Sequence, residues 1–289
     1  MKFRSIVSRI IILFMAFASV LSISGSRVYA DSYKVVTLGG DLTSEQKEDM
    51  LEYFEVTKED ADILEVHIDE EKKYLSDVAT SDEIGTKSIS CAYIEPTTSG
   101  GINVTTKNIS WVSSSMIKNA LITAGIKNAN VKAAAPFQVS GTAALTGILK
   151  GYENSSAGSK IDENKKKVAN DELVTTGKLG EEIGKDKAAG LINDIKTQVV
   201  KENPKTEEEV KNIVENVINN YNINLSQEDI DKIVSLMNKI NGLNLNFSDI
   251  KGQLNDVANT LKDTLASPET QGFFATIINA IKNFFSSLF

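Results

Sequence analysis

Three groups of residues in this chain have types and spacing that chemistry could use. Ser115-Met116-Ile117-Lys118 has the Ser-x-x-Lys spacing of penicillin-binding nucleophiles. At a helix start that spacing sets lysine beside the serine hydroxyl, where it could lower the hydroxyl's pKa. No Ser-Asp-Asn or Lys-Thr-Gly companion accompanies it, so a solvated helix end accounts for it better. His67 is the one histidine and shares a strand face with Glu65 and Asp69, a conceivable Glu-His-Asp metal geometry. With one histidine and one cysteine, a zinc site would rest mostly on carboxylates, which is unusual. Ser-His-Asp catalysis would also need His67, and no Gly-x-Ser-x-Gly elbow is present. Cys91 lies in the apolar run SISCAYI, as a structural thiol would. The acidic residues are numerous enough for a two-carboxylate glycosidase, but none stands out as a pair.

The third group is glycine-rich. A Walker loop needs four residues between its glycines and then Lys-Ser or Lys-Thr. Five residues separate Gly141 from Gly147, and Ile148 follows. Gly39-Gly40-Asp41 lacks the third glycine of a dinucleotide fingerprint, and Asp41 would repel an anion at the helix start. The residues therefore call for no cofactor and no metal, and no catalytic residue is assigned. Three strand-to-helix turns remain as candidate ligand-binding positions, because crevices at strand ends are the usual sites of α/β sheets. They are Gly39, Gly40 and Asp41; Ser113, which opens the run to Ser115; and Ser140, Gly141 and Thr142.

The elements that must carry these turns can be read from periodicity. YKVVTLG (Tyr33 to Gly39) and ADILEVHI (Ala61 to Ile68) read as strands around a helix that starts near Thr43. There Thr43 and Gln46 fit a capping box. A short helix over about Glu70 to Val78 should follow. KSISCAYIEP and INVTTKNI flank Thr97-Thr98-Ser99-Gly100-Gly101 and predict an antiparallel hairpin. After it a Ser-capped helix, the strand ANVKAAAP and a further helix repeat the order strand, helix, strand, helix. Two βαβ units in one mixed sheet are expected, each right-handed by the usual preference. Ala143, Gly147 and Gly151 fall on one helix face, a small-residue stripe expected to approach a backbone closely, over Ala133-Ala134-Ala135. From about Asp162 the strands stop. Thr206 with Glu209, and Ser226, open amphipathic helices, and a third carries Ile250, Leu254, Val257, Leu261 and Leu265.

The ends of the chain speak to location. Lys2, Arg4 and Arg9 precede the apolar core Ile10 to Val20, and Val28-Tyr29-Ala30 has small residues at the −3 and −1 positions. This reads as a secretory signal with cleavage after Ala30. The alternative is an uncleaved anchor, for which the apolar core is short and the polar run Ser22 to Arg27 interrupts it. Of the 31 basic residues, Lys2, Arg4, Arg9 and Arg27 lie in that leader, leaving 27 against 39 acidic ones. An acidic chain without a basic stripe argues against nucleic acid. At the other end, Phe273, Ile277, Ile281, Phe284 and Leu288 make an apolar stripe that Phe274, Ile278 and Phe285 widen. A polar face opposite makes the segment too amphipathic for a comfortable span. It suits a bundle core, a protein partner, or the surface of a membrane or wall.

VVTLGGDLTSEQ, NALITAGIKNANVKAAAPFQVSGTAALTGILKGYE and ANDELVTTGKLGEEIG resemble the YpuA-like family of secreted Firmicute proteins, catalogued as a domain of unknown function. The resemblance covers most of the chain after the leader. It implies an extracytoplasmic protein connected with the cell envelope, and it carries no catalytic residues over.

The expected architecture is a signal peptide over 1–30, an α/β domain over 31–155 and a helical domain over 156–289 that ends in the amphipathic helix 268–289. The fold class is a mixed-sheet α/β part made of two βαβ-like units joined by a hairpin, followed by an all-α region. The expected role is binding or structural, at the envelope and outside the cytoplasm. The alternative is an envelope hydrolase acting on cell-wall polymer or lipid.

Overall fold

The computed structural model describes residues 33–221 and 223–265. The leader over 1–30 and the C-terminal segment 268–289, with Phe273, Phe274, Ile277, Ile281, Phe284, Phe285 and Leu288, lie outside the described residues.

Among the described residues, five strands form one mixed sheet: β1 (Val35–Gly39), β2 (Asp62–Val66), β3 (Cys91–Pro96), β4 (Ile102–Ile109) and β5 (Ala129–Val139), in the order β2-β1-β3-β5-β4. β1 pairs in parallel with β2, and β4 with β5; β3 runs antiparallel to both β1 and β5. The run VVTLG is buried throughout because β1 is interior and covered on both faces. β4 is an edge strand. Its Ile102 is buried, while Asn103, Thr105 and Lys107 point to solvent.

The parallel pairs are the two βαβ units that the sequence predicts, linked by α1 (Ser44–Phe54) and α4 (Ser114–Thr123). Thr43 caps α1 as expected: its Oγ1 accepts from Gln46 N at 3.2 Å, and Gln46 Oε1 accepts from Thr43 N at 3.0 Å. After β2 come α2 (Ile68–Leu75) and the short α3 (Ser81–Ile84).

The expected β3–β4 hairpin ladder does not form. β5 lies between the two strands, with Cys91 opposite Ala134 on one side and Ile102 opposite Ala129 on the other. The handedness expected of the crossovers also needs correction. α1 packs on the face that carries Val36, Leu38, Cys91, Tyr93 and Ala134. α4 packs with Ala92, Ile94, Ile102, Val131 and Ala133 on the opposite face. Both connections step in the same direction across the sheet, so helices on opposite faces make them opposite in hand. One of the two must depart from the right-handed rule.

α5 (Ala144–Asn154) crosses the α4 face of the sheet. Its small-residue stripe is closely packed, but against side chains of β1 and β3 rather than against a backbone over the alanines of β5, as the sequence led us to expect. A Cβ at Gly147 would lie 2.7 Å from Thr37 Oγ1, and one at Gly151 2.5 Å from Ile94 Cδ1.

Helices follow from there: α6 (Glu163–Ile183), α7 (Lys185–Glu202), α8 (Glu207–Tyr221), α9 (Gln227–Gly242) and α10 (Phe247–Leu265). Thr206 Oγ1 accepts from Glu209 N, and Ser226 Oγ from Asp229 N, each at 3.2 Å, at the helix starts read from the sequence. One apolar cluster runs from Ala92 and Ile94 in the sheet to Leu254 and Leu261 in α10. Inside it sits a fully buried ion pair. Lys196 Nζ on α7 donates to Glu172 Oε1 on α6 at 2.7 Å and to the Asn119 carbonyl of α4 at 2.9 Å. Thr123 Oγ1 donates to the other carboxylate oxygen.

Candidate functional site

Because β1, β2, β4 and β5 all run the same way, their C-terminal ends share one edge of the sheet, together with the start of β3. All three candidate turns lie along that edge. The peptide exits of β4 and β5 are tied together there. Val139 O accepts from Ser110 N at 2.8 Å, and Ser140 O accepts from Trp111 N at 3.1 Å and Val112 N at 3.2 Å. Gly141 has φ +89°, a left-handed backbone that glycine adopts freely, and Ile109 fills the space where a Cβ would stand. This joint opens a cavity of about 400 Å3, lined by residues 84–87 and 89–90, Trp111, residues 139, 140, 142 and 143, and Glu181.

The candidate turns take different parts in it. Ser140 and Thr142 line the cavity, and their hydroxyl oxygens lie 3.3 Å apart. Asp41 is outside the lining but holds part of it. Its Oδ2 accepts from Ser88 N at 2.7 Å, and its own N–H donates to Ser88 O at 3.1 Å. Gly39 lets the segment before β3 pass, since a Cβ there would lie 2.7 Å from Ile89 Cα. Gly40 N donates to Val66 O at 2.8 Å, which joins β1 to the end of β2. Ser113 is a helix cap, accepting from Met116 N at 3.3 Å.

The other chemical motifs are occupied structurally. Lys118 Nζ lies 3.7 Å from Asp256 on α10. His67 N donates to Glu70 Oε2 at 3.0 Å at the start of α2, and Lys47 holds Glu65 at 2.5 Å. Among the described residues no group of three histidine, cysteine, aspartate or glutamate side chains could hold a metal ion. Cys91 is buried, and burial pushes its thiol up to about 11, so it is no thiolate nucleophile at neutral pH.

Two features of the edge carried no mark in the sequence reading. One is Trp111, the only tryptophan in the chain, which donates Nε1–H to Glu181 Oε1 at 2.6 Å and borders the cavity. Its position after a strand and before the serine run was the available signal. The other is Glu71 on α2, with no exposed surface and no well-formed hydrogen bond at either carboxylate oxygen. Burial raises its pKa from 4.5 to about 7; the Ser88 hydroxyl beside it opposes the rise, and the charges of Asp41 and Glu70 add to it. Glu71 does not line the cavity, so a ligand there cannot reach it.

A second cleft of about 220 Å3 lies among α2, α6 and α9. Opposite charges meet in it, with Lys239 donating to Asp171 at 2.6 Å and Lys232 lying 3.6 Å from Asp229. That lining is largely satisfied by its own ion pairs.

A five-stranded mixed sheet with helices on both faces, continued by a helical run and carrying a cavity at its strand ends, defines an α/β protein with a ligand-sized crevice. Residues 38–257 match the family described as Protein of unknown function (DUF1002), and the chain belongs to that family. It is also similar to the uncharacterized protein YpuA of Bacillus subtilis (strain 168), 37% identical over 260 residues that cover 87% of this chain and 89% of that protein. No solved structure matches.

Proposed function

We propose that this protein is an extracytoplasmic binding protein of the cell envelope that holds its ligand in the cavity at the strand-end edge. The observation that carries the reading is the cavity itself. Two strand exits, Trp111 and the Asp41-anchored segment converge on a space within the 300–1,000 Å3 range of small-ligand sites. The secretory signal read in residues 1–30 supports the location, and the amphipathic stripe over Phe273 to Leu288 supports a second, partner- or surface-facing contact.

Trp111 makes the test direct. Its emission in the mature chain is followed while purified wall, lipid vesicles and envelope proteins are added separately. Saturable change with one fraction supports the reading; binding that leaves Trp111 emission and its quencher access unchanged would move the site elsewhere. N-terminal sequencing of the exported protein tests cleavage before Asp31. Liposome co-sedimentation of the mature chain against one ending at Ser267 tests the C-terminal contact.

The hydrolase alternative would need a pair of acids at the cavity. Glu181 is the single acid among its described lining residues, and its Oε1 is bonded to the Trp111 indole. Binding is therefore the better-supported role.

A further inference from the structure

We infer that the strand-end cavity takes a sugar ring of a glycan, seated against the Trp111 indole with its hydroxyls met by Ser90, Ser140 and Thr86. The inference rests on the cavity being the binding site proposed above and names the class of ligand.

The lining is amphipathic in a particular way. Ile84, Ile89, Val139 and the indole supply apolar surface, and serine and threonine hydroxyls are set between them. Ser90 is only 8% exposed and lines the cavity. A ligand that displaces water from its hydroxyl must replace the hydrogen bond that water makes, which favours one with polar groups of its own. Among its described lining residues, Lys87 and Glu181 are the charged ones, one of each sign.

Each competing chemistry leaves something unmet. An acyl chain would fill the apolar part but leave the Ser90 hydroxyl unpaired. A phosphate-bearing ligand would find a single lysine and face the Glu181 carboxylate. A pyranose ring has what the lining asks for: a C–H face that packs on an aromatic plane, and a rim of hydroxyls that both donate and accept. Acetamido groups, where present, would find a donor in Lys87 and an acceptor in Glu181. Gly177 backs the indole, which fixes the ring plane before a ligand arrives.

The test uses the full mature chain with chitotetraose, a neutral β-linked oligosaccharide, followed by Trp111 fluorescence and by calorimetry in parallel. Saturable binding by both is expected. Ser90→Ala should weaken it about tenfold, the equivalent of one lost hydrogen bond, with an unchanged thermal midpoint. Trp111→Phe should abolish the optical signal and weaken the calorimetric one. Saturable binding of lipid vesicles or of a peptide at the Trp111 site, without oligosaccharide binding, would overturn the glycan assignment and leave the cavity as the site. If none of these ligands gives heat or an emission change, both the assignment and the cavity reading fall.

Discussion

Gly177 on α6 lies directly beneath the indole of Trp111: a Cβ at 177 would come within 2.5 Å of ring Cζ3 and overlap other ring atoms. The indole is rigid and is held at its other end by Glu181, so it has nowhere cheap to go. Gly177→Ala is therefore expected to displace Trp111, shifting its emission and weakening ligand capture at the cavity. Retention of wild-type emission and affinity in Gly177→Ala would remove the case for Trp111 as a preset platform.

The glycines of α5 and α10 offer an internal comparison. Gly147 and Gly151 face Thr37 and Ile94 at overlap distance, whereas Gly252 in α10 has nothing within 4 Å. Gly252→Ala should raise stability by up to about 1 kcal/mol through helix propensity. Gly147→Leu should lower it by about 1–3 kcal/mol through overpacking. Thermal or chemical denaturation checks both, and equal shifts of the same sign would refute the packing explanation.

The Lys196–Glu172 pair should behave as a unit. Both side chains are fully buried, and burial lowers the Lys196 pKa while the Glu172 charge opposes that change. Removing one partner strands the other, so Lys196→Met is expected to cost about 3–5 kcal/mol. The double change Lys196→Met with Glu172→Leu should recover much of that loss. A double-mutant cycle with no coupling would show that the pair adds nothing beyond its separate burials.

Stability should fall as pH rises through neutrality. Glu71 is raised from 4.5 to about 7, and Asp194, buried and accepting from Tyr221 Oη at 2.5 Å, from 3.8 to about 7. A carboxyl whose folded pKa is raised binds protons better when folded. Its contribution is full below the unfolded pKa and is lost as pH climbs through the folded one. For Glu71 the loss is on the order of 3 kcal/mol. Glu71→Gln should flatten the denaturation-midpoint profile between pH 5 and about 8. An unchanged slope in that variant would place the titration elsewhere.

What could be read in the sequence follows the range of the interactions involved. Thr43 with Gln46, Thr206 with Glu209 and Ser226 announce helix starts because capping is settled within four residues. The two βαβ units are legible for the same reason, as each strand meets its parallel partner after one helix. The strands around Gly100-Gly101 misled, because alternation says that a strand exists but not which neighbour it takes. Ala129–Ala134 displaced the local partner through contacts that no short window contains. The turns at Asp41, Ser140 and Thr142 could be named, yet their meeting at one edge depends on strand order. Glu71 was invisible for a related reason: in sequence it is one more acid in the run Asp69-Glu70-Glu71, and only the packing of α2 buries it.

The insertion of β5 also shapes how the chain must fold. When residues 91–109 have formed and residues 129–139 have not, β3 and β4 are each other's nearest available strands, with a turn between them already suited to a hairpin. Were it to form, that hairpin would compete with the native ladder and would have to open to admit the strand that belongs inside it. Sheet completion therefore rests on non-local pairing, with β5 joining β3 and β4 across long sequence separations. The local preference of one segment is in conflict with the final structure, a point of frustration in a landscape otherwise built from agreeing choices.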